Sequence, residues 1–102
     1  MSRLEQLRKL VELDPADPMS HYGLGLEYVN LEEWDAAAAA FDGAIAADAK
    51  YSSAYYHKGR ALISGGRLED ARATLTRGME VARAAGDWHT AEEMQSLLDT
   101  AS

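Results

Sequence analysis

The sequence predicts an all-α protein: about six helices, paired as antiparallel hairpins and stacked side by side into an α-solenoid. Three observations carry this reading. The chain matches itself, without gaps, when shifted by 34 residues. Its apolar residues recur at helical spacing between clear stop signals. Alanine is plentiful and there are only 2 prolines in 102 residues, which favours helix because alanine is the best helix former and proline the worst.

The self-match is the strongest of the three. Leu7 falls on Phe41 and Leu75, Val11 on Ile45 and Met79, Tyr28 on Leu62, Trp34 on Leu68 and Ala37 on Ala71. Gly25 falls on Gly59, both inside helical patterns. Glycine costs about 1 kcal/mol relative to alanine in a helix interior, a cost that makes sense where a neighbouring helix must approach closely. The small residues Ala37, Ala44, Ala71 and Gly78 are predicted to face such approaches. Phe41, Leu75, Tyr28 and Leu62 are predicted to fill the space between hairpins.

Taken in order, the first helix is expected over about 3–13, with Leu4, Leu7, Leu10 and Val11 as its apolar stripe. Asp14-Pro15 ends it, since proline disfavours helix in the residue before it. Asp17-Pro18 restarts the chain as N-cap and first turn of a helix over 18–31. Asn30-Leu31-Glu32-Glu33 forms a tight turn into a helix over 34–48, whose Ala36–Ala40 run suits close packing. A helix over 53–64 is closed by Gly65-Gly66, and one over 68–85 by Gly86. The last helix, over 87–100, departs from the repeat: Glu93 stands where the frame calls for glycine. Its apolar face is Ala91, Met94, Leu97, Leu98 and Ala101, and its polar face fits the terminal cap of a stack.

The run His21-Tyr22-Gly23-Leu24-Gly25-Leu26-Glu27-Tyr28, followed by Ala37-x3-Phe41, resembles the tetratricopeptide repeat pattern Trp-x2-Leu-Gly-x2-Tyr, then Ala-x3-Phe. His21 replaces the usual Trp and Ala49 the usual closing Pro. The second copy, Tyr55-x2-Lys58-Gly59-x2-Leu62 and Ala71-x3-Leu75, is weaker, and Pro15 takes the closing slot of an incomplete preceding repeat. This resemblance implies a single domain over 1–102: a half repeat at 1–15, repeats at 18–51 and 52–85, and a capping helix at 87–102.

Composition narrows the function classes. A net charge of -7 argues against sequence-independent nucleic-acid binding, which depends on neutralising phosphates with Lys and Arg. The charge is uneven: residues 1–51 carry 4 basic and 10 acidic side chains, residues 52–102 carry 6 and 7. With no cysteine there are no disulfides and no thiolate chemistry. No stretch approaches the roughly 20 apolar residues of a membrane helix, and the charged start lacks a signal-peptide run, so a cytoplasmic protein is expected. His21, His57 and His89 are too scattered for a metal site or catalytic triad. His21 is read as the substitute for the core aromatic, His57 as facing the groove and His89 as lying on the cap. The pairs Glu32-Glu33, Glu69-Asp70 and Glu92-Glu93 are read as helix-start charges. No enzyme activity, cofactor or metal is expected.

The resemblance then implies a site. In such proteins the first helix of each hairpin lines a groove that holds an extended peptide or a partner helix. Carried onto this sequence, the groove side is Met19, Tyr22, Gly23, Leu26 and Asn30 from one hairpin and Ser53, Tyr56, His57, Arg60 and Ser64 from the next. Aromatic rings give contact area at low entropic cost, Asn30 can hold peptide amides, and Arg60 can fork onto a carboxylate. Relatives that grip chaperone C-termini do so with lysine and asparagine; here Tyr22, Leu26 and His57 stand at those positions, so that clamp is not expected. The expected function is a small adaptor or scaffold binding an unidentified protein or peptide. The alternative is a structural subunit that self-associates through its end helices, since the half repeat leaves the first helix without its hairpin partner.

Overall fold

Every helix begins and ends for a local reason, and the reasons repeat along the chain. The computed structural model describes residues 1–101; Ser102, the end of the expected capping segment, lies outside the described residues. Six helices make up the described chain: α1 (Arg3–Leu13), α2 (Pro18–Asn30), α3 (Trp34–Ala47), α4 (Ser52–Ser64), α5 (Leu68–Ala84) and α6 (Trp88–Thr100). No strand occurs among the described residues. The Asp17 side chain caps α2, accepting from Met19 N at 3.0 Å and from Ser20 Oγ at 3.0 Å.

The turns after α2, α4 and α5 share one construction. The N–H five residues on bonds back over the helix end: Glu33 N to Tyr28 O at 2.9 Å, Arg67 N to Leu62 O and Asp87 N to Ala82 O at 2.8 Å each. This closure needs a residue of positive φ. Gly66 (φ 80) and Gly86 (φ 75) supply it in two cases, and Glu32 (φ 57) in the third.

Consecutive helices pack against one another throughout, most extensively within the pairs α2–α3 and α4–α5. The next-nearest contacts are one-sided: α2 touches α4 and α4 touches α6, whereas no such approach joins α1 to α3 or α3 to α5. Helices α2, α4 and α6 therefore form the tighter, inner layer of a curved stack. The outer helices spread apart, leaving a furrow of about 420 Å³ between α3 and α5, edged by Asp35, Asp42 and Arg67.

The core runs between the layers. Phe41, Leu75 and Met94 are its largest fully buried side chains. The close approaches fall at the two glycines that coincide in the repeat. A Cβ added at Gly25 would lie 2.5 Å from the Phe41 ring, and one at Gly59 would lie 2.5 Å from Leu75 Cδ2. Ala37, Ala44, Ala71 and Gly78 are all buried. In the alanine run, Ala37, Ala38 and Ala40 are buried while Ala39 faces out.

Four expectations are corrected. Leu10, assigned to the inner stripe of α1, is 49% exposed, and α1 has no fully buried residue, because it packs on α2 alone. Tyr28 packs against the Ala37–Phe41–Ala61 cluster as expected but is only half-buried, unlike Leu62; its hydroxyl accepts from Arg8 Nε at 3.1 Å and Nη2 at 2.9 Å, so it also joins α2 to α1. His21 is half-buried against Gly43, with Nε2 2.7 Å from Pro15 O. Glu92-Glu93 lies beyond the first turn of α6, where Glu93 Oε1 stands 3.3 Å from His89 Nε2. The polar atoms of the core are matched: Ser52, buried at the start of α4, donates to Asp87 Oδ2 at 2.8 Å, and Asp87 also caps α6 by accepting from Thr90 N.

Candidate functional site

The inner layer exposes residues spaced by three or four along α2 and α4, which places them on one face of each helix. Its centre is a run of aromatic rings. Tyr51, in the turn before α4, stacks on Tyr22 with centroids 5.1 Å apart at 29°. Tyr22 meets the His57 ring edge-on at 5.5 Å and 72°, and His57 meets Tyr56 at 5.1 Å and 86°. Beneath them Phe41 lies 5.8 Å from His57 at 28° and 5.9 Å from Tyr22. These separations fall in the favourable range for aromatic pairs. The result is a continuous aromatic ledge across the α2–α4 boundary.

Three groups of the ledge are shifted towards their neutral forms. Burial raises the Tyr22 phenol above its ordinary value, with nearby Tyr51 adding to it. Burial also raises Tyr51, helped by Asp17 and Asp48; its hydroxyl donates to Met19 Sδ at 3.1 Å. His57 is pushed below the ordinary imidazole value, first by burial and then by the Arg60 charge, with Glu93 opposing.

Two hollows flank the ledge. A recess of about 80 Å³ is lined by Val29, Trp34, His57, Arg60, Ala61 and Ser64. A wider one of about 300 Å³ lies between α4 and α6, against Tyr56, Glu93, Ser96, Leu97 and Thr100. The structure thus brings together Tyr22, Tyr56, His57, Arg60 and Ser64. Leu26 is half-buried against the Phe41 cluster below them. Asn30 lines neither hollow: it is exposed at the end of α2, and its Nδ2 donates to Glu27 Oε1 at 3.3 Å. Gly23 faces α1, not the groove, since a Cβ there would meet Leu7 Cδ2 at 3.4 Å. Met19 is exposed at the ledge's edge and Ser53 is half-buried. Among the described residues no group of three or more His, Asp or Glu side chains is placed to hold a metal ion.

Sequence reasoning missed Tyr51 and the α6 wall. A signal for Tyr51 existed: it stands 34 residues after the N-cap Asp17 but makes no side-chain capping bond, so its ring is free for other work. The α6 residues were assigned wholly to the cap.

Stacked helix pairs with a tighter inner layer define a helical-repeat protein of the solenoid class. The tetratricopeptide repeat family matches residues 28–94, and the chain belongs to that family. No curated protein matches it. Among solved structures, a tetratricopeptide repeat domain protein from Salinibacter ruber is 33% identical, covering 86% of this chain and 89% of that one, with a TM-score of 0.76. The TPR2B domain of yeast Sti1, in complex with pHsp70, is 20% identical, covering 96% of this chain and 78% of that one, TM-score 0.90. The Yersinia enterocolitica type III secretion chaperone SycD, in complex with a peptide of the translocator YopD, is 21% identical, covering 96% and 76%, TM-score 0.86. The last two likenesses concern the fold.

Proposed function

We propose that this chain is a non-catalytic, cytoplasmic protein-interaction module, a small adaptor or scaffold that holds a peptide segment or partner helix against its inner layer. On this reading it is one domain over 1–102, with a half repeat at 1–15, repeats at 18–51 and 52–85, and a cap at 87–102. The observation that carries it is the ledge of Tyr51, Tyr22, His57 and Tyr56, half-buried rings side by side with a hollow on either flank. Rigid aromatic area of this kind is what binding surfaces use. The fold's ability to seat a peptide, seen in the SycD complex with a YopD peptide, supports the reading. The net charge of -7 favours protein over nucleic acid as the partner. With Tyr22, Leu26 and His57 where a chaperone-tail clamp needs lysine and asparagine, the reading does not include that clamp.

The test is paired affinity capture from the native cell by wild type and by Tyr22→Ala/Tyr56→Ala, each of verified helicity. A partner kept by wild type and lost by the variant supports the groove; the same partners on both rule it out.

A second reading, self-association, is favoured by one observation: Leu10 is 49% and Leu13 81% exposed on the end helix α1. Light scattering over a range of concentrations decides it, since a constant monomer mass removes it.

A further inference from the structure

Arg60 differs from the other arginines in its place on the inner layer. Arg3 pairs with Glu27, Arg8 with Tyr28, Arg67 with Asp35 and Asp70, Arg72 with the Ala101 carbonyl and Arg77 with Glu80. Arg83 is exposed on the outer helix α5. Arg60 is exposed on the inner layer, and among the described residues no carboxylate reaches it, in a chain with 17 acidic side chains. Arg60 borders the recess whose other walls include Val29, Trp34 and Ala61. Of the carboxylates near this face, Glu27 pairs with Arg3 and Asn30, and Glu93 lies on the far hollow between α4 and α6, 3.3 Å from His89. The recess thus combines the apolar walls Val29, Trp34 and Ala61 with one fork-shaped cation that no carboxylate among the described residues reaches.

Resting on the proposed binding groove, we infer the chemistry of its occupant. The segment carries an aliphatic side chain that enters the Val29–Trp34–Ala61 recess, with an aspartate or glutamate within two residues that forks onto Arg60. The spacing follows from reach: an extended chain advances about 3.3 Å per residue, so a carboxylate farther along leaves Arg60 behind. Bidentate Arg–carboxylate geometry fixes register as well as adding energy. The carboxylate is a side chain rather than a chain end, because α4 is the middle helix of the inner layer and a segment crossing the groove continues on both sides of it. One acid is specified, not an acidic tract: beyond the roughly 8 Å screening length at physiological salt a further acid gains nothing from Arg60.

The experiment is selection of a random peptide library on wild type and on Arg60→Glu, with affinities of the selected peptides by fluorescence anisotropy. Wild type enriches Leu, Ile or Val with an acid one or two positions away. These peptides bind Arg60→Glu roughly tenfold more weakly, and Arg60→Glu selected on its own enriches Lys or Arg in the acid's place. Peptides that lose binding to Tyr22→Ala or Tyr56→Ala, yet lack the acid or bind Arg60→Glu equally well, overturn this inference and leave the groove intact. Peptides indifferent to both tyrosine variants, or no enrichment at all, overturn the groove reading with it.

Discussion

Gly23 and Gly25 lie near the middle of α2, two residues apart, and replacing each with alanine has opposite effects on stability. Either substitution gains about 1 kcal/mol of helix propensity. At Gly23 the new methyl meets only the end of the half-buried Leu7 side chain, at 3.4 Å, an ordinary contact, so Gly23→Ala stabilises by about 0.5–1 kcal/mol. At Gly25 the methyl would stand 2.5, 2.7 and 2.8 Å from three atoms of the Phe41 ring. Carbon atoms prefer separations of about 3.5–4.0 Å, so the ring must retreat by about 1 Å, and Phe41 is fully buried. Overpacking of this kind costs about 1–3 kcal/mol and outweighs the propensity gain in all but its mildest form. With a melting shift of about 4–8 °C per kcal/mol in a domain of this size, Gly25→Ala melts several degrees below wild type and Gly23→Ala several degrees above. Thermal unfolding followed by circular dichroism reads both. The reasoning fails if Gly25→Ala is as stable as wild type, or if the two variants shift in the same direction.

Four further outcomes follow from particular contacts. Ser52→Ala removes the buried donor to Asp87 and costs about 1–2 kcal/mol, whereas Ser53→Ala next to it stays within about 0.5 kcal/mol of wild type; urea titration compares them. Glu32→Gly relieves a left-handed residue in the place where the next repeat has Gly66, and stabilises by about 0.5–1 kcal/mol after the entropy that glycine adds to the unfolded chain. Asp87 is held below its ordinary value of 3.8, first by the Thr90 side chain and then by Ser52. Its contribution is therefore full above that value and disappears as pH falls through the folded-state value, and Asp87→Asn removes that part of the acid unfolding curve. His57 is depressed, so the unfolded chain takes up its proton first and stability falls as pH drops below the ordinary imidazole value of 6.5; NMR titration finds His57 protonating below that value, and His57→Gln loses this slope.

The architecture was legible where one residue type admits one explanation. Two glycines 34 residues apart inside helical patterns make sense only as close approaches, and both meet the large apolar residue of the facing helix. Stop signals at Gly66 and Gly86 placed the turns, and Asp17 placed a cap. Apolar periodicity, however, tells which face is greasy and not whether a neighbour exists to cover it. Leu10 is exposed because α1 packs on α2 alone among the described helices, a fact about the stack and not about the pattern of α1. The bond from Ser52 to Asp87 spans 35 residues and leaves no local pattern. Of the groove residues, Tyr22, Tyr56, His57, Arg60 and Ser64 came together because helical spacing fixes a face. Asn30 did not, since Glu27 one turn back offers its amide a nearer acceptor.

The most direct measurement of the proposed binding face is a titration of a selected peptide into isotopically labelled protein, followed by amide chemical shifts. Shifts are expected to cluster at Tyr22, Tyr51, Tyr56, His57, Arg60 and Ser64, reaching Leu97 on α6 and sparing the outer helices. Shifts centred instead on exposed positions of α3 and α5, such as Ala39, Ala73 or Arg77, would contradict the account.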